Sequence, residues 1–270
     1  MREASAGIKF CDLPTPEEKA KRDCEMLNAE AGDLHLYDGY ECEKCNNRGW
    51  SYYAKGAYIY RGNCECWKAR NTIRRMNESG LSNVIRKYTF AKYKPDDEWQ
   101  KHIKETALRF VSDDRAKWFF IGGASGSGKS HICTAICREL LKTKDVQYML
   151  WEEESNELKS NKMDAETYQP RMKRLKEVDV LYIDDFFSRH RDNEAVRPTD
   201  ADIGLARELL NHRYFNEKIT LISSEWYSSE IFDMDEALGG RILELGGTYC
   251  LNVGRGEGKN YRLKMGGVLL

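Results

Sequence analysis

Apolar residues change their period several times along this chain. Five short runs are nearly continuous: Trp118 to Ile121, Val146 to Trp151, Val178 to Ile183, Ile219 to Ser224 and Tyr249 to Val253. Bulky and β-branched residues in runs this short predict strands buried on both faces. Between them the spacing shifts to that of a helix, with Ile103, Ala107 and Phe110 on one face, then Ile132, Ala135, Ile136 and Leu140, then Ile203, Ala206, Leu209 and Leu210, and a last helix near Ala237 to Leu245. Strands alternating with amphipathic helices predict an α/β domain with a mostly parallel sheet covered on both sides. It is expected over residues 84–270. Residues 1–80 read differently. Pro14 and Pro16 precede a charged helical stretch, Glu17 to Glu30, and a basic helix from Lys68 to Glu78 with Arg70, Arg74 and Arg75 leads to Gly80. Between these lie glycines and tyrosines that suggest a hairpin, so a small N-terminal module is expected.

Composition narrows the class. Among 270 residues, 43 are Lys or Arg and 44 are Asp or Glu, for a net charge of −1. That excludes a strongly basic nucleic-acid coat but allows a local basic groove. No apolar stretch approaches the roughly 20 residues of a membrane span. Met1-Arg2-Glu3-Ala4-Ser5 has no apolar core or cleavage pattern, so a cytoplasmic protein without membrane contact is expected.

In a reducing compartment nine cysteines do not imply a disulfide framework. Their spacing is more telling: Cys42-x-x-Cys45 and Cys64-x-Cys66 are two close pairs separated by 18 residues, a pattern that offers four soft ligands to a tetrahedral Zn²⁺. The segment between them, with Gly49, Gly56, Gly62, Tyr52, Tyr53, Tyr58, Ile59 and Tyr60, looks like a hairpin carried by the metal. Redox chemistry is the rival for such pairs, although a reactive C-x-x-C is expected beside a βαβ unit. Cys11, Cys24, Cys133, Cys137 and Cys250 read as core or surface thiols.

The most specific motif is Gly123-Ala124-Ser125-Gly126-Ser127-Gly128-Lys129-Ser130, a full match to the phosphate-cradling loop. It follows a predicted strand and opens a predicted helix. Glycines let backbone N–H groups wrap an anionic phosphate, and the helix N-terminus adds its positive end. Lys129 would reach the β and γ phosphates of ATP, and Ser130 would hold Mg²⁺. A later strand ends in Asp184-Asp185, at the strand end where open α/β sheets place ligands. Asp184 is the candidate partner of Mg²⁺ and Asp185 the candidate base for an attacking water.

With these motifs the chain resembles the AAA+ ATPases of the bacterial helicase-loader clade, DnaC and DnaI, together with the related transposition ATPase IstB. The resemblance covers about residues 80 to 265 and rests on Gly128-Lys129-Ser130-His131, Asp184-Asp185, Leu210-Asn211-His212-Arg213-Tyr214 and Thr220-Leu221-Ile222-Ser223-Ser224. The cysteine pairs resemble the zinc-binding front of DnaI-type and phage-encoded loaders. Family members commonly have Asn after Ser-Ser as sensor 1. Glu225 stands there in this chain, which leaves Ser224 and Glu225 as alternatives for orienting the lytic water. The resemblance makes Arg241, in Gly240-Arg241-Ile242-Leu243-Glu244, an arginine finger acting on a neighbouring subunit, and places Arg262 near the family's C-terminal arginine. It also implies that the long connection Glu152 to Glu177, which holds Lys159, Lys162, Arg171, Lys173, Arg174 and Lys176, contacts single-stranded DNA. Tyr168, Tyr52 or Tyr58 are candidate stacking partners. The alternatives are a solvated helix of mixed charge and a packing role for the tyrosines.

The expected protein is an ATP- and Mg²⁺-dependent loader of a replicative helicase onto single-stranded DNA, oligomeric when ATP is bound, with a Zn²⁺-bearing front module that grips the helicase. Three alternatives stay open at this stage: an IstB-like transposition ATPase, an adaptor that binds zinc and nucleotide with little hydrolysis, and a small-molecule kinase using the same loop.

Overall fold

The computed structural model describes residues 14–78, 85, 87–187, 190–191, 194–195, 197–256 and 260. Two compact units are present, Met1–Asn71 and Thr72–Leu270. The division falls within the helix Cys66–Glu78. Arg262, Cys11 and Gly80 lie outside the described residues. No helix among the described residues is long and apolar enough to cross a membrane.

The first unit is built on α1 (Pro16–Ala29), α2 (Leu34–Asp38), the hairpin β1 (Trp50–Lys55) and β2 (Tyr58–Asn63), and the start of α3 (Cys66–Glu78). Thr15 and Glu18 close a capping box on α1, satisfying donors that the first helical turn leaves free. The helix is tied to the hairpin through Asn28. Its side-chain amide donates to the Tyr52 carbonyl at 2.7 Å and its oxygen accepts from the Tyr52 N–H at 2.9 Å. Apolar burial is slight, and Cys45, Cys64 and Cys66 form a cluster of their own. A unit this small buries too little to hold itself and needs a staple.

The second unit contains α4 (Glu98–Ser112), β3 (Trp118–Gly123), α5 (Lys129–Leu140), β4 (Val146–Leu150), α6 (Trp151–Ser160), α7 (Ala165–Glu177), β5 (Val180–Asp184), the short ribbon of β6 (His190–Arg191) and β7 (Glu194–Ala195), α8 (Asp200–Phe215), β8 (Ile219–Ser224), α9 (Ser228–Met234), α10 (Glu236–Gly246) and β9 (Cys250–Val253). Five strands form one sheet in the order β4-β5-β8-β3-β9, and every pair is parallel. This is the α/β fold with a parallel sheet expected of an AAA+ core. Both faces are covered, which is why all six residues of β3 are buried. Trp118 and Phe120 join a large core with Leu181, Ile183, Met172, Leu209 and Ile242, whereas Phe119 on the other face meets Phe110 of α4 edge to face at 5.4 Å.

The carboxylate strand starts two residues later than its apolar run suggests, and Arg213 accounts for this. Its guanidinium is fully buried and donates to the carbonyls of Leu175 (2.8 Å), Val178 (3.0 Å) and Ile219 (2.6 Å), with its Nε–H on Thr220 Oγ1 (2.9 Å). Leu175 lies in the last turn of α7, where carbonyls lack helical partners. Val178 is therefore spent on ending α7, and β5 begins at Val180. Burial pulls the guanidinium pKa down to about 9, leaving it charged at neutral pH.

Arg213→Met keeps the volume but leaves several buried carbonyls unsatisfied. It is expected to lower the unfolding free energy of this unit by about 3 kcal/mol, and Arg213→Lys, lacking the fork, should recover less than half. Urea denaturation followed by tryptophan fluorescence measures this. A loss below about 0.5 kcal/mol would mean the carbonyls find other partners.

Candidate functional site

The loop between β3 and α5 turns sharply because three of its glycines have positive φ. Gly123, at φ +108°, has no room for a side chain: a Cβ there would lie 2.1 Å from the Val253 carbonyl oxygen. Gly128, at φ +91°, is the N-cap of α5, so the α5 N-terminus opens toward the loop's interior. Ser127 points inward and donates to the Ala124 carbonyl at 2.8 Å. Lys129 folds back over the loop, its ammonium donating to the carbonyls of Gly123 (3.0 Å) and Ala124 (2.8 Å). Burial pulls its pKa below the usual lysine range, and Glu225, Asp185 and Asp184 oppose that shift. A cation held only by backbone carbonyls is placed to exchange them for phosphate oxygens.

Asp184, nearly buried at the end of β5, gathers four donors. Ser130 Oγ donates at 3.0 Å, Tyr148 OH at 3.2 Å and the Asp185 N–H at 3.2 Å, and Ser223 Oγ donates as well. Asp185 follows at φ +51°, a sharp turn stabilised by its N–H on Ser223 Oγ at 3.3 Å. The exposed Asp185 side chain lines a cleft of about 540 Å³ together with Ser125, Gly126, Lys129, Ser130 and Glu225. Ser130 and Asp184 are the hard oxygen donors, already in contact, that suit Mg²⁺.

The other side of the cleft is a wall the sequence reading did not single out. Lys87, Tyr88 and Lys92 line it. His131 stacks on Tyr88 (4.7 Å, 18°) and meets Tyr93 edge-on (5.2 Å), while its Nε2–H donates to the Thr89 carbonyl at 2.9 Å. Burial keeps its pKa below the usual histidine value. His131 thus anchors the 88–93 segment to the start of α5. The only trace of this in sequence is the paired spacing of Lys87-Tyr88 and Lys92-Tyr93. Tyr148 and Ser223 were missed as well, because nothing local marks a residue whose partner lies on another strand.

Two expected site residues are elsewhere. The Ser224 hydroxyl is buried, donating to the Phe186 carbonyl at 2.7 Å and accepting from the Trp226 N–H at 3.0 Å. It braces the loop after β5, and of the two sensor alternatives only Glu225 faces the cleft. Arg241 does not approach the phosphate loop of its own chain. Its guanidinium lies over Tyr214 at 5.2 Å and donates to the Ala237 carbonyl at 2.6 Å, in a separate groove with Arg207, Phe215 and Glu244. Asn260 reaches back to the loop: a Cβ on Gly126 would fall 2.0 Å from its side-chain oxygen.

The connection between β4 and β5 forms α6 and α7, and its charge is largely neutralised from within. Arg171 pairs with Glu154 and Glu157, Lys159 with Asp202, and Lys176 with Glu208 at 2.7 Å. Tyr168 is buried and donates to Glu208 at 2.6 Å, so it is not available for stacking. Lys162, Lys173 and Arg174 remain exposed.

In the first unit the four cysteines converge. The Sγ atoms of Cys42, Cys45, Cys64 and Cys66 all lie within 4.8 Å of one another, with Cys42 to Cys64 at 3.8 Å and Cys45 to Cys66 at 3.5 Å. These separations are far too long for disulfides. They match the edges of a tetrahedron of sulfurs about 2.3 Å from a central zinc, which are about 3.8 Å. Asn46 and Asn47, at φ +47° and +63°, curl the chain after Cys45 so that the Gly49 N–H donates to its sulfur at 3.3 Å. Burial raises the Cys45 thiol, but that hydrogen bond and those from the neighbouring thiols overcome it and set the pKa at about 7. Burial drives Cys66 upward. Four soft sulfur donors within 4.8 Å of one another form a set that fits Zn²⁺.

Residues 86–246 match the bacterial DnaA ATPase domain family. YqaM of Bacillus subtilis (strain 168) is 33% identical over 219 residues, covering 77% of this chain and 67% of that protein. The replicative helicase loader DnaC of Escherichia coli (strain K12) is 28% identical over 122 residues, 44% of this chain and 50% of that one. Among solved structures, that of DnaI superposes with a TM-score of 0.51 at 20% identity, over 64% of this chain and 93% of the other. The match over more than half of the chain, on a site built from the phosphate loop and Asp184, shows that this chain belongs to the bacterial DnaA ATPase-domain family of AAA+ ATPases.

Proposed function

We propose that this protein is an ATP-dependent loader that assembles a replicative helicase on single-stranded DNA in the cytoplasm. The observation that carries the ATPase half is the convergence of Lys129, Ser130, Asp184, Asp185 and Glu225 on one cleft. Kinship with a protein named as a replicative helicase loader supports the other half.

In this reading the loop N–H groups and the α5 N-terminus receive the phosphates of ATP, and Lys129 leaves the Gly123 and Ala124 carbonyls for them. Ser130 and Asp184 would hold Mg²⁺, which supplies charge neutralisation on the phosphates when bound. Tyr148 and Ser223 keep Asp184 oriented. Asp185 and Glu225 face the space beside them, where an attacking water is positioned and its proton accepted. Arg241, remote from its own loop, completes the site of a second copy. The cysteine cluster holds zinc and so orders the front unit, which presents the helicase-binding surface.

Lys129→Ala is expected to reduce ATP turnover by about 10²- to 10³-fold, as single-donor losses do, with zinc content unchanged. Asp185→Asn should still bind ATP and fail to hydrolyse it. Wild-type turnover in the Lys129 variant, measured by phosphate release, removes the ATPase assignment.

A finger supplied in trans stabilises charge on a phosphate that another chain holds. Mixing Arg241→Ala with Lys129→Ala chains should therefore restore part of the turnover that each lacks alone. No rescue in a protein that oligomerises would return Arg241 to a packing role against Tyr214.

Purified protein should carry one zinc per chain, and Cys64→Ser should lose it together with the order of the front unit. Because the front unit is the proposed grip, chelation should abolish capture of the replicative helicase while ATP binding persists. Metal analysis and pull-down with and without chelator read this out. Capture of a transposase in place of the helicase would favour the transposition alternative.

A further inference from the structure

The connection singled out for DNA contact is mostly self-neutralised, so uncommitted ring surface and charge have to be sought elsewhere. Of the 13 large apolar side chains that stay exposed among the described residues, eight belong to the first unit. The densest group is on the hairpin. Tyr53 pairs with Tyr60 and Lys55 with Tyr58 across β1 and β2, and in antiparallel strands these alternate positions share one face. Tyr53 and Tyr60 lie with their rings 5.8 Å apart and 21° from parallel. Tyr58, beside the turn, is 72% exposed. Gly62 makes the platform possible, since a Cβ there would press on the Tyr53 ring at 3.1 Å. On the opposite face Trp50, Tyr52 and Ala54 are half-buried, and Arg61 lies over the Trp50 ring at 4.3 Å.

Charge identifies the partner. From Asn46 to Cys64 the chain has Arg48, Lys55 and Arg61 and no acidic residue. Arg48 is turned inward onto the Leu27 carbonyl and Asn28. Lys55 is exposed on the tyrosine face itself. A row of accessible ring faces with an unopposed cation and no carboxylate suits a polyanion whose own rings are uncovered. Tyr58 and Tyr60, two residues apart on one face of β2, are about 7 Å apart along the strand, so each can meet a separate base of an extended strand. A duplex hides its base faces and does not fit.

We propose that the Tyr53, Lys55, Tyr58 and Tyr60 face of the hairpin binds single-stranded DNA by ring stacking on the bases and a Lys55 contact to phosphate. The choice of DNA over RNA rests on the loader reading above. The stacking surface itself does not.

The test uses the full-length, zinc-loaded protein and fluorescence anisotropy of labelled oligothymidylate and oligouridylate across a salt series. Y53A/Y60A should weaken oligothymidylate binding by about tenfold or more, and Y53F/Y60F, which keeps the ring faces, should stay within about twofold. K55E should reduce the slope of log affinity against log salt by about 0.7, the value for one lost single-strand phosphate contact. Zinc content and ATP turnover report on folding. If Y53A/Y60A loses zinc, Y58A and K55E decide in its place. Unchanged DNA affinity in the alanine and K55E variants overturns the proposal. Tighter binding of oligouridylate than of oligothymidylate overturns it in favour of RNA. Loss of helicase capture with DNA binding intact overturns it in favour of a protein partner. Tyrosine-dependent DNA binding in a chain that captures no helicase would uphold this inference while removing the loader reading, so the two fail separately.

Discussion

Asp184 is the group on which the nucleotide site depends. A carboxylate at a buried strand end is tolerated only if donors surround it, and here they come from four different elements: Ser130 at the start of α5, Tyr148 on β4, Ser223 on β8 and the N–H of Asp185. Satisfying one charge therefore sets the positions of three strands and the phosphate-loop helix at the edge where the cleft opens. Ser223 serves twice, since it also accepts from the N–H that directs Asp185 outward. Tyr148, whose pKa burial and the adjacent Asp184 carboxylate raise, stays a donor at any ordinary pH. The oxygens that suit a divalent cation are thus held before one arrives.

The opposite end of the same sheet uses the reverse arrangement. A buried cation, Arg213, takes up the orphan carbonyls where α7 ends and β8 begins. Together the two groups fasten the sheet at both ends, a carboxylate drawing in hydroxyls and a guanidinium drawing in carbonyls. The helices α6 and α7 are fixed between them by ion pairs to α8, which explains why so many cations there are unavailable to outside ligands. Surface pairs of this kind contribute little stability individually, but they decide which charges remain free.

The first unit solves its own problem differently. With little apolar surface to bury, it gathers four thiols within 4.8 Å of one another and leaves several of its aromatic residues exposed. A cysteine cluster in place of an apolar core leaves the tyrosines of β1 and β2 outside, where a unit held together by hydrophobic burial would have had to enclose them.

By itself the sequence determined the parallel α/β architecture, since continuous apolar runs alternating with amphipathic stretches have few other ways to bury both faces. It also determined the phosphate loop and the cysteine pairs, whose chemistry is written in residue type over a few positions. Other features were decided only by the tertiary structure. Tyr148 and Ser223 became partners of Asp184, His131 became a prop for Tyr88 and Tyr93, Ser224 turned away from the cleft while Glu225 entered it, and Lys159, Arg171 and Lys176 were neutralised. Each of these depends on a partner far along the chain or on the exact rotation of a strand end. A motif can name a side chain, but the hydrogen-bond partner that assigns its role is set by long-range packing.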